Sequence, residues 1–185
     1  MKFTFCSDLH IFAPHEISDV LSVKINEIES ENIWLLGDII DLKGCDPKDK
    51  SLCLGMLKSL NNMYKERYIK GNHDGDTIDP FFTRVGNILM THGDIICWDN
   101  SRAIDFRVGE NFQGYGWIKR FINWARHLWK QRISKLEIEQ ATKYCKALDC
   151  NIIVYGHSHT KKLLVKKVNG ITIYNIPRGR TELDL

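Results

Sequence analysis

An α/β fold is predicted by three features of this chain. Short apolar runs of strand length alternate with segments whose apolar residues recur at helical spacing. Run after run ends in aspartate, asparagine or histidine, often beside a glycine. Near the C-terminus, Asn169-Gly170 lies between two further runs and signals a hairpin. The 185 residues suit a single domain, 1–185, with room for a sizeable core.

The elements follow in order. Lys2 to Cys6 is short and apolar and predicts a buried strand that delivers Asp8 and His10. Ile17, Val20, Leu21, Ile25 and Ile28 predict a helix over 16–30. Ile33 to Leu36 is a second buried strand, ending at Gly37-Asp38. Leu52, Met56, Leu57 and Leu60 give helical spacing over 48–65. Strands follow at 67–69, leading to Gly71-Asn72-His73, at 87–90, leading to His92, and at 151–155, leading to Gly156-His157. The hairpin strands are 163–167 and 171–176. In open α/β sheets, ligands gather beyond the carboxyl ends of strands, so these distant motifs are expected at one rim.

The stretch 100–148 interrupts this pattern as a helical insertion, a candidate cap. Within it, Trp117, Phe121, Trp124 and Trp129 fall on one helical face, and Lys119, Arg120, Arg126 and Lys130 on the other. Such a helix either packs on the core or faces lipid, which allows peripheral membrane contact. A second helix is predicted over 135–148.

Composition narrows the function classes. Apolar residues make up 43% of the chain and charged residues 26%, as in ordinary soluble proteins. The net charge of +3 is too mild to signal nucleic-acid binding and is compatible with an anionic substrate. None of the six cysteines forms a C-x-x-C pair, which argues against a structural zinc site and for reduced thiols. The first chemical motif begins at Asp8, which leaves no room for a signal peptide, and no apolar run is long enough for a membrane span. A cytoplasmic protein is expected.

Five of the seven histidines lie in the strand-end clusters. A mixed Asp/His/Asn donor set points to manganese, iron or zinc in place of magnesium or a thiolate-bound metal. Two such ions about 3.5–4 Å apart can activate a shared water to hydroxide, neutralise phosphate oxygens and align phosphorus for attack. A histidine beside them can supply the leaving group's proton. His15 and His127 lie outside the clusters and read as surface residues, and Asp74 and Asp94 read as turn or supporting residues.

The ordered set Asp8-x-His10, Gly37-Asp38-x-x-Asp41, Gly71-Asn72-His73-Asp74, His92 and Gly156-His157-x-His159 resembles the calcineurin-like metallophosphoesterase superfamily. Each piece alone is weak; all five in order are specific. The resemblance implies a four-layer αββα sandwich. It also implies roles: Asp8, His10 and His159 for one ion, Asn72, His92 and His157 for the other, and Asp38 bridging both. His73 would act on the phosphate as general acid or transition-state stabiliser, oriented by Asp41. Two divalent ions are expected, manganese first, with iron or zinc as alternatives.

A narrower likeness concerns His92-Gly93-Asp94, Cys97, Asp99-Asn100 and Phe106-Arg107. This region resembles UDP-2,3-diacylglucosamine hydrolases, whose helical insertion caps acyl chains. The chain departs from them in being shorter and in having His73 where arginine is common. The expected function is hydrolysis of a small phosphate or pyrophosphate ester, with a lipid-linked substrate of that kind as one option. The alternatives are a general phosphomonoesterase, a nucleotide or nucleic-acid phosphodiesterase, and a non-catalytic scaffold on the same fold. Arg102 and Arg107 are candidate phosphate contacts; Trp117 and Phe121 are candidate contacts to an apolar portion.

Overall fold

The computed structural model describes residues 1–11, 32–75, 80–97 and 132–185. Nine strands and two helices of more than one turn are assigned among them. In chain order they are β1 (Lys2–Ser7), β2 (Ile33–Leu36), α1 (Lys50–Tyr64), β3 (Tyr68–Ile69), β4 (Phe82–Val85), β5 (Ile88–Thr91), α2 (Lys135–Ala147), β6 (Ile152–Tyr155), β7 (Leu164–Val168), β8 (Ile171–Asn175) and β9 (Gly179–Asp184). A 3-10 turn, Lys65–Arg67, joins α1 to β3 and takes up the start of the strand expected at 67–69.

The strands form two sheets, ordered β3-β2-β1-β9 and β4-β5-β6-β8-β7. β1, β2 and β3 run parallel, as do β5, β6 and β8. Side-chain alternation then builds the layers. Phe3, Phe5, Trp34, Leu36 and Ile69 of the first sheet pack against Ile88, Met90 and Val154 of the second. The opposite face of the first sheet presents Ile33, Leu35 and Tyr68 to Cys53, Leu57, Leu60 and Tyr64 of α1. The opposite face of the second sheet presents Leu89, Ile153, Tyr155, Ile171 and Ile173 to Ala141 and Cys145 of α2. The order is helix, sheet, sheet, helix, the expected αββα sandwich. Strands buried on both faces explain the unbroken apolar runs Ile33-Trp34-Leu35-Leu36 and Ile152-Ile153-Val154-Tyr155.

Two strands depart from the sequence reading. β4 is an edge strand paired only with β5, with alternately exposed and half-buried residues, so it carries no apolar run. β9 pairs antiparallel with β1 along its whole length, yet Leu183 is its one buried residue. Edge strands are often charged in this way, which blunts pairing with other chains and hides them from an apolar-run search. The hairpin forms as expected: Asn169 and Gly170 have φ of 50° and 79° between β7 and β8, the double left-handed turn that Asn-Gly favours.

The predicted helix over 16–30 and residues 100–131 of the insertion lie outside the described residues. No helix among the described residues is long and apolar enough to cross a membrane.

Candidate metal centre

Five strands end at one rim. β1 leads into Asp8 and His10, β2 into Asp38 and Asp41, β3 into Asn72 and His73, β5 into His92, and β6 into His157 and His159. Backbone bonds tie the loops together: Asp8 N–H to Gly37 O, His10 N–H to Asp38 O, Leu42 N–H to His73 O and Gly156 N–H to His92 O, all 2.9–3.2 Å. Glycine is required where these loops touch. A Cβ on Gly37 would sit 2.6 Å from Gly71 N and 2.7 Å from the His92 ring. A Cβ on Gly156 would sit 2.1 Å from Ser7 Oγ and 2.6 Å from Asp8 Oδ2.

The donor atoms fall into overlapping groups. Asp8, His10 and His159 form one, with His10 Nε2 3.1 Å from His159 Nε2 and Asp8 Oδ1 3.3 Å from the latter. Asp8, Asp38, His92 and His157 form another, with His92 Nε2 3.0 Å from His157 Nδ1 and 3.2 Å from Asp38 Oδ2. Asn72 joins it through Oδ1, 3.3 Å from His92 Nε2. Asp38 Oδ2 also lies 3.9 Å from His10 Nε2, so one oxygen faces both groups. The third group joins His10, Asp38 and His73.

These separations fit bound cations. Two nitrogen ligands at a zinc-like bond length, meeting at 90–109°, lie about 3.0–3.4 Å apart. Paired imidazole nitrogens at 3.0–3.1 Å match that spacing. Asp8 Oδ1 is buried without a hydrogen-bond donor, although it belongs to a carboxylate with no exposed surface. Such an atom calls for a cation.

Neighbours set which nitrogen of each ring is available. His92 Nδ1 lies 2.8 Å from Leu36 O, which only accepts, so Nδ1–H donates and Nε2 faces the cluster. His10 Nδ1 lies 3.3 Å from Asp41 Oδ2, which orients its Nε2 in the same way. Asp41 Oδ1 accepts Lys43 N–H at 3.0 Å and Gly44 N–H at 2.8 Å. The same oxygen lies 2.9 Å from His73 Nδ1, a close contact without the alignment of a hydrogen bond. Asp38 Oδ1 accepts His73 N–H at 2.7 Å.

Electrostatics follow from this crowding. Burial disfavours the Asp8 carboxylate, but His159, His92 and the Ser7 hydroxyl together hold it well below the usual carboxylate range. Burial likewise opposes charge on Asp38, and His92 beside it overcomes that. Burial also opposes a charge on His92, yet the Asp38 carboxylate lifts it to about 9. Burial and the neighbouring His92 charge push His157 down to about 4. Burial lowers His10 as well, against the pull of Asp38.

Five of these residues are held in left-handed backbone. Asp8, His10, Asp38, His157 and His159 have φ between 48° and 65°. Aspartate and histidine enter this region more often than most side chains, still at about 1 kcal/mol each. Such strain gathers at functional sites, and nothing in the motif spacing announces it.

All nine strand-end candidates, Asp8, His10, Asp38, Asp41, Asn72, His73, His92, His157 and His159, therefore meet at one place. Arg102, Arg107, Trp117 and Phe121 lie outside the described residues, as do His15 and His127. Asp74 is a turn residue, as expected: its Oδ2 accepts the N–H groups of Asp38 and Gly71, each at 2.9 Å, and burial raises its pKa to about 6.

Sequence reasoning missed Glu137. Its Oε1 accepts from the Tyr155 hydroxyl at 3.2 Å and Ser158 Oγ at 3.3 Å, and its Oε2 accepts Ser134 N–H at 2.7 Å. Ser158 sits between the two histidines of its motif and accepts from Asn175 Nδ2 at 2.9 Å. The available signal was Ser134-x-x-Glu137, a capping box at the start of α2.

Solved structures resemble this chain at low identity. A conserved uncharacterized protein of Streptococcus pneumoniae TIGR4, described as a predicted phosphoesterase, is 19% identical, with 100% of this chain and 84% of that chain covered and a TM-score of 0.44. Vacuolar protein sorting 29 of Cryptosporidium parvum is 18% identical, with coverage of 96% and 74% and a TM-score of 0.45. A cold-active protein-tyrosine phosphatase of a psychrophilic Shewanella is 13% identical, with coverage of 99% and 75% and a TM-score of 0.48. No curated protein matches the sequence. The decisive comparison is with the sequence model of the Metallophos family, calcineurin-like phosphoesterase, which matches residues 1–161. That match spans every motif brought together at the rim, and the chain belongs to the calcineurin-like phosphoesterase family.

Proposed function

We propose that this protein is a phosphoesterase dependent on two divalent metal ions, hydrolysing a phosphate or pyrophosphate ester. One observation carries the reading: Asp38 Oδ2 lies between two clusters of donor atoms, 3.2 Å from His92 Nε2 and 3.9 Å from His10 Nε2, and His73 stands beside them with its Nδ1 against Asp41. Asp8, His10 and His159 would hold one ion. Asn72, His92 and His157 would hold the other, with Asp38 between. The mixed nitrogen and oxygen donors suit manganese, with iron and zinc as competitors. When bound, the ions supply Lewis acidity toward phosphate oxygens and lower the pKa of a coordinated water.

The protein's own groups do the rest. Asp41 Oδ1 lies against Nδ1 of His73, which leaves Nε2 on the other side of the ring to meet the substrate. His73 is partly exposed, with 31% of its side chain accessible, so a phosphate ester can reach it. From Nε2 it would donate a hydrogen bond to the developing charge and a proton to the leaving oxygen. A lipid-linked or otherwise apolar substrate rests on the sequence alone: the likeness of the region after His92 to UDP-2,3-diacylglucosamine hydrolases, and the tryptophan-bearing helical face expected in the insertion.

Protein supplied with manganese is expected to cleave p-nitrophenyl phosphate or bis(p-nitrophenyl) phosphate, and a chelator to abolish cleavage. Protein with both ions bound that turns over neither compound, nor a pyrophosphate ester, overturns the reading.

A further inference from the structure

The rim carries a cation that the metal centre does not use. Arg178 lies between β8 and β9, and β9 places Gly179 directly opposite Ser7 at the end of β1. The Arg178 side chain therefore starts beside the loop that carries Asp8 and His10. From there its Nη2 donates to Leu9 O at 2.8 Å. Leu9 is the residue between those two candidate ligands, so the guanidinium rests on the backbone of the loop and on none of its ligand atoms.

A guanidinium has five N–H donors, and this contact uses one. Arg178 is exposed, and among the described residues no carboxylate pairs with it. A neutral clasp on a carbonyl does not require arginine. What arginine adds is a planar fork with fixed charge, suited to the oxygens of a phosphate. The surroundings agree in sign. Lys161 and Lys162 are exposed immediately beyond His159 and Thr160 and also lack a carboxylate partner among the described residues. Thus Asp8 and His10 are flanked by Arg178, and His159 by two lysines: the three candidate ligands of one ion share a basic border.

We propose that Arg178 binds a second anionic group of the substrate, a phosphate adjoining the scissile one, and thereby selects diphosphate esters over monoesters. The inference rests on the phosphoesterase reading and deepens it. The scissile phosphate belongs over the donor clusters. Arg178, held to the side of that loop, meets what extends past it. Its bond to Leu9 O fixes the fork before substrate arrives, so little side-chain entropy remains to be lost on binding.

The test is calorimetric titration of the manganese-loaded protein with AMP and with its non-hydrolysable diphosphate counterpart, adenosine 5′-(α,β-methylene)diphosphate. The wild-type protein is expected to favour the diphosphate by about tenfold, the size of one charge-assisted contact. Arg178→Ala should bring the ratio close to one. Arg178→Lys should give an intermediate ratio, because a point charge cannot hold Leu9 O and a phosphate together. Arg180→Ala, which removes the same charge two residues further along β9, should keep the wild-type ratio. A wild-type protein without preference overturns the proposal. So does an Arg178→Ala protein that weakens both ligands equally with the ratio intact, which would make Arg178 only a clasp on the loop. Failure of the phosphoesterase reading shows separately, as no cleavage of p-nitrophenyl phosphate, its bis ester or a pyrophosphate ester by the same preparation, while the binding ratio is still measured.

Discussion

His10 Nδ1 and Asp41 Oδ2 lie 3.3 Å apart, and the other Asp41 oxygen lies 2.9 Å from His73 Nδ1. One carboxylate thus orients a candidate ligand and the candidate acid together. Asp41→Asn is expected to act on both. Loss of such an orienting partner weakens metal binding by about 10–100-fold. Titration of metal-free protein with manganese measures this at the ion held by His10. Turnover should stay low even with metal in excess, because His73 has also lost its partner. Full activity restored by metal alone would confine Asp41 to His10.

His73 and Asp38 separate chemistry from assembly. His73→Ala should keep two ions per chain and lose about 10²–10⁴ in turnover, the usual range for a positioned acid. Asp38→Asn should lose metal, since one Asp38 oxygen lies within 3.9 Å of a ring nitrogen in each cluster. Metal analysis beside kinetics distinguishes them. A His73→Ala protein of normal rate would remove that residue from the mechanism.

The division between what could be read from the residues and what could not is physical. Asp8, Asp38, Asn72, His92 and His157 follow buried apolar strands, so a search for short apolar runs finds them and the parallel rim assembles them. The two-sheet arrangement is invisible to periodicity, because Trp34 and Leu35 are equally apolar while one faces the other sheet and the other faces α1. β9 is hidden because Arg180, Thr181 and Glu182 look like loop, although they complete the first sheet and bring Arg178 to the rim. The left-handed backbone at Asp8 and His159 depends on loops crossing each other, which no local pattern encodes.

Metal affinity should depend on pH with a definite sign. The His92 pKa is raised from 6.5 to about 9, so in metal-free protein its charged form stabilises the fold fully below about 6.5, and that stabilisation is lost as pH rises through about 9. A cation needs the Nε2 lone pair and must displace that proton. His157, pushed down to about 4, is already neutral there and releases none. Affinity at this ion is therefore expected to rise about tenfold per pH unit from about pH 7 to about pH 8.5. Calorimetry in buffers of different ionisation enthalpy should record about one proton released per ion at this site. Affinity that is flat with pH, with no proton released, would show that His92 is neutral before metal arrives.

Glu137 joins α2 to the metal centre and should report on both. Ser134→Ala removes one half of the capping box and should lower stability by about 1 kcal/mol with metal affinity unchanged. Glu137→Ala removes the other half and also strands the Tyr155 hydroxyl, buried among Leu89, Ile153 and Cys145. A buried polar group left without a partner adds about 1–3 kcal/mol, so Glu137→Ala should lower the melting temperature clearly more. It also removes the acceptor of the Ser158 hydroxyl, which then keeps only its contacts to Asn175 and Cys97; the neighbours of Ser158 on either side are His157 and His159. If Ser158 holds their loop in its left-handed turns, metal affinity must fall along with stability. Measuring manganese affinity below the melting transition of each variant separates the two effects. Equal metal binding in Glu137→Ala and Ser134→Ala would confine Glu137 to anchoring the helix.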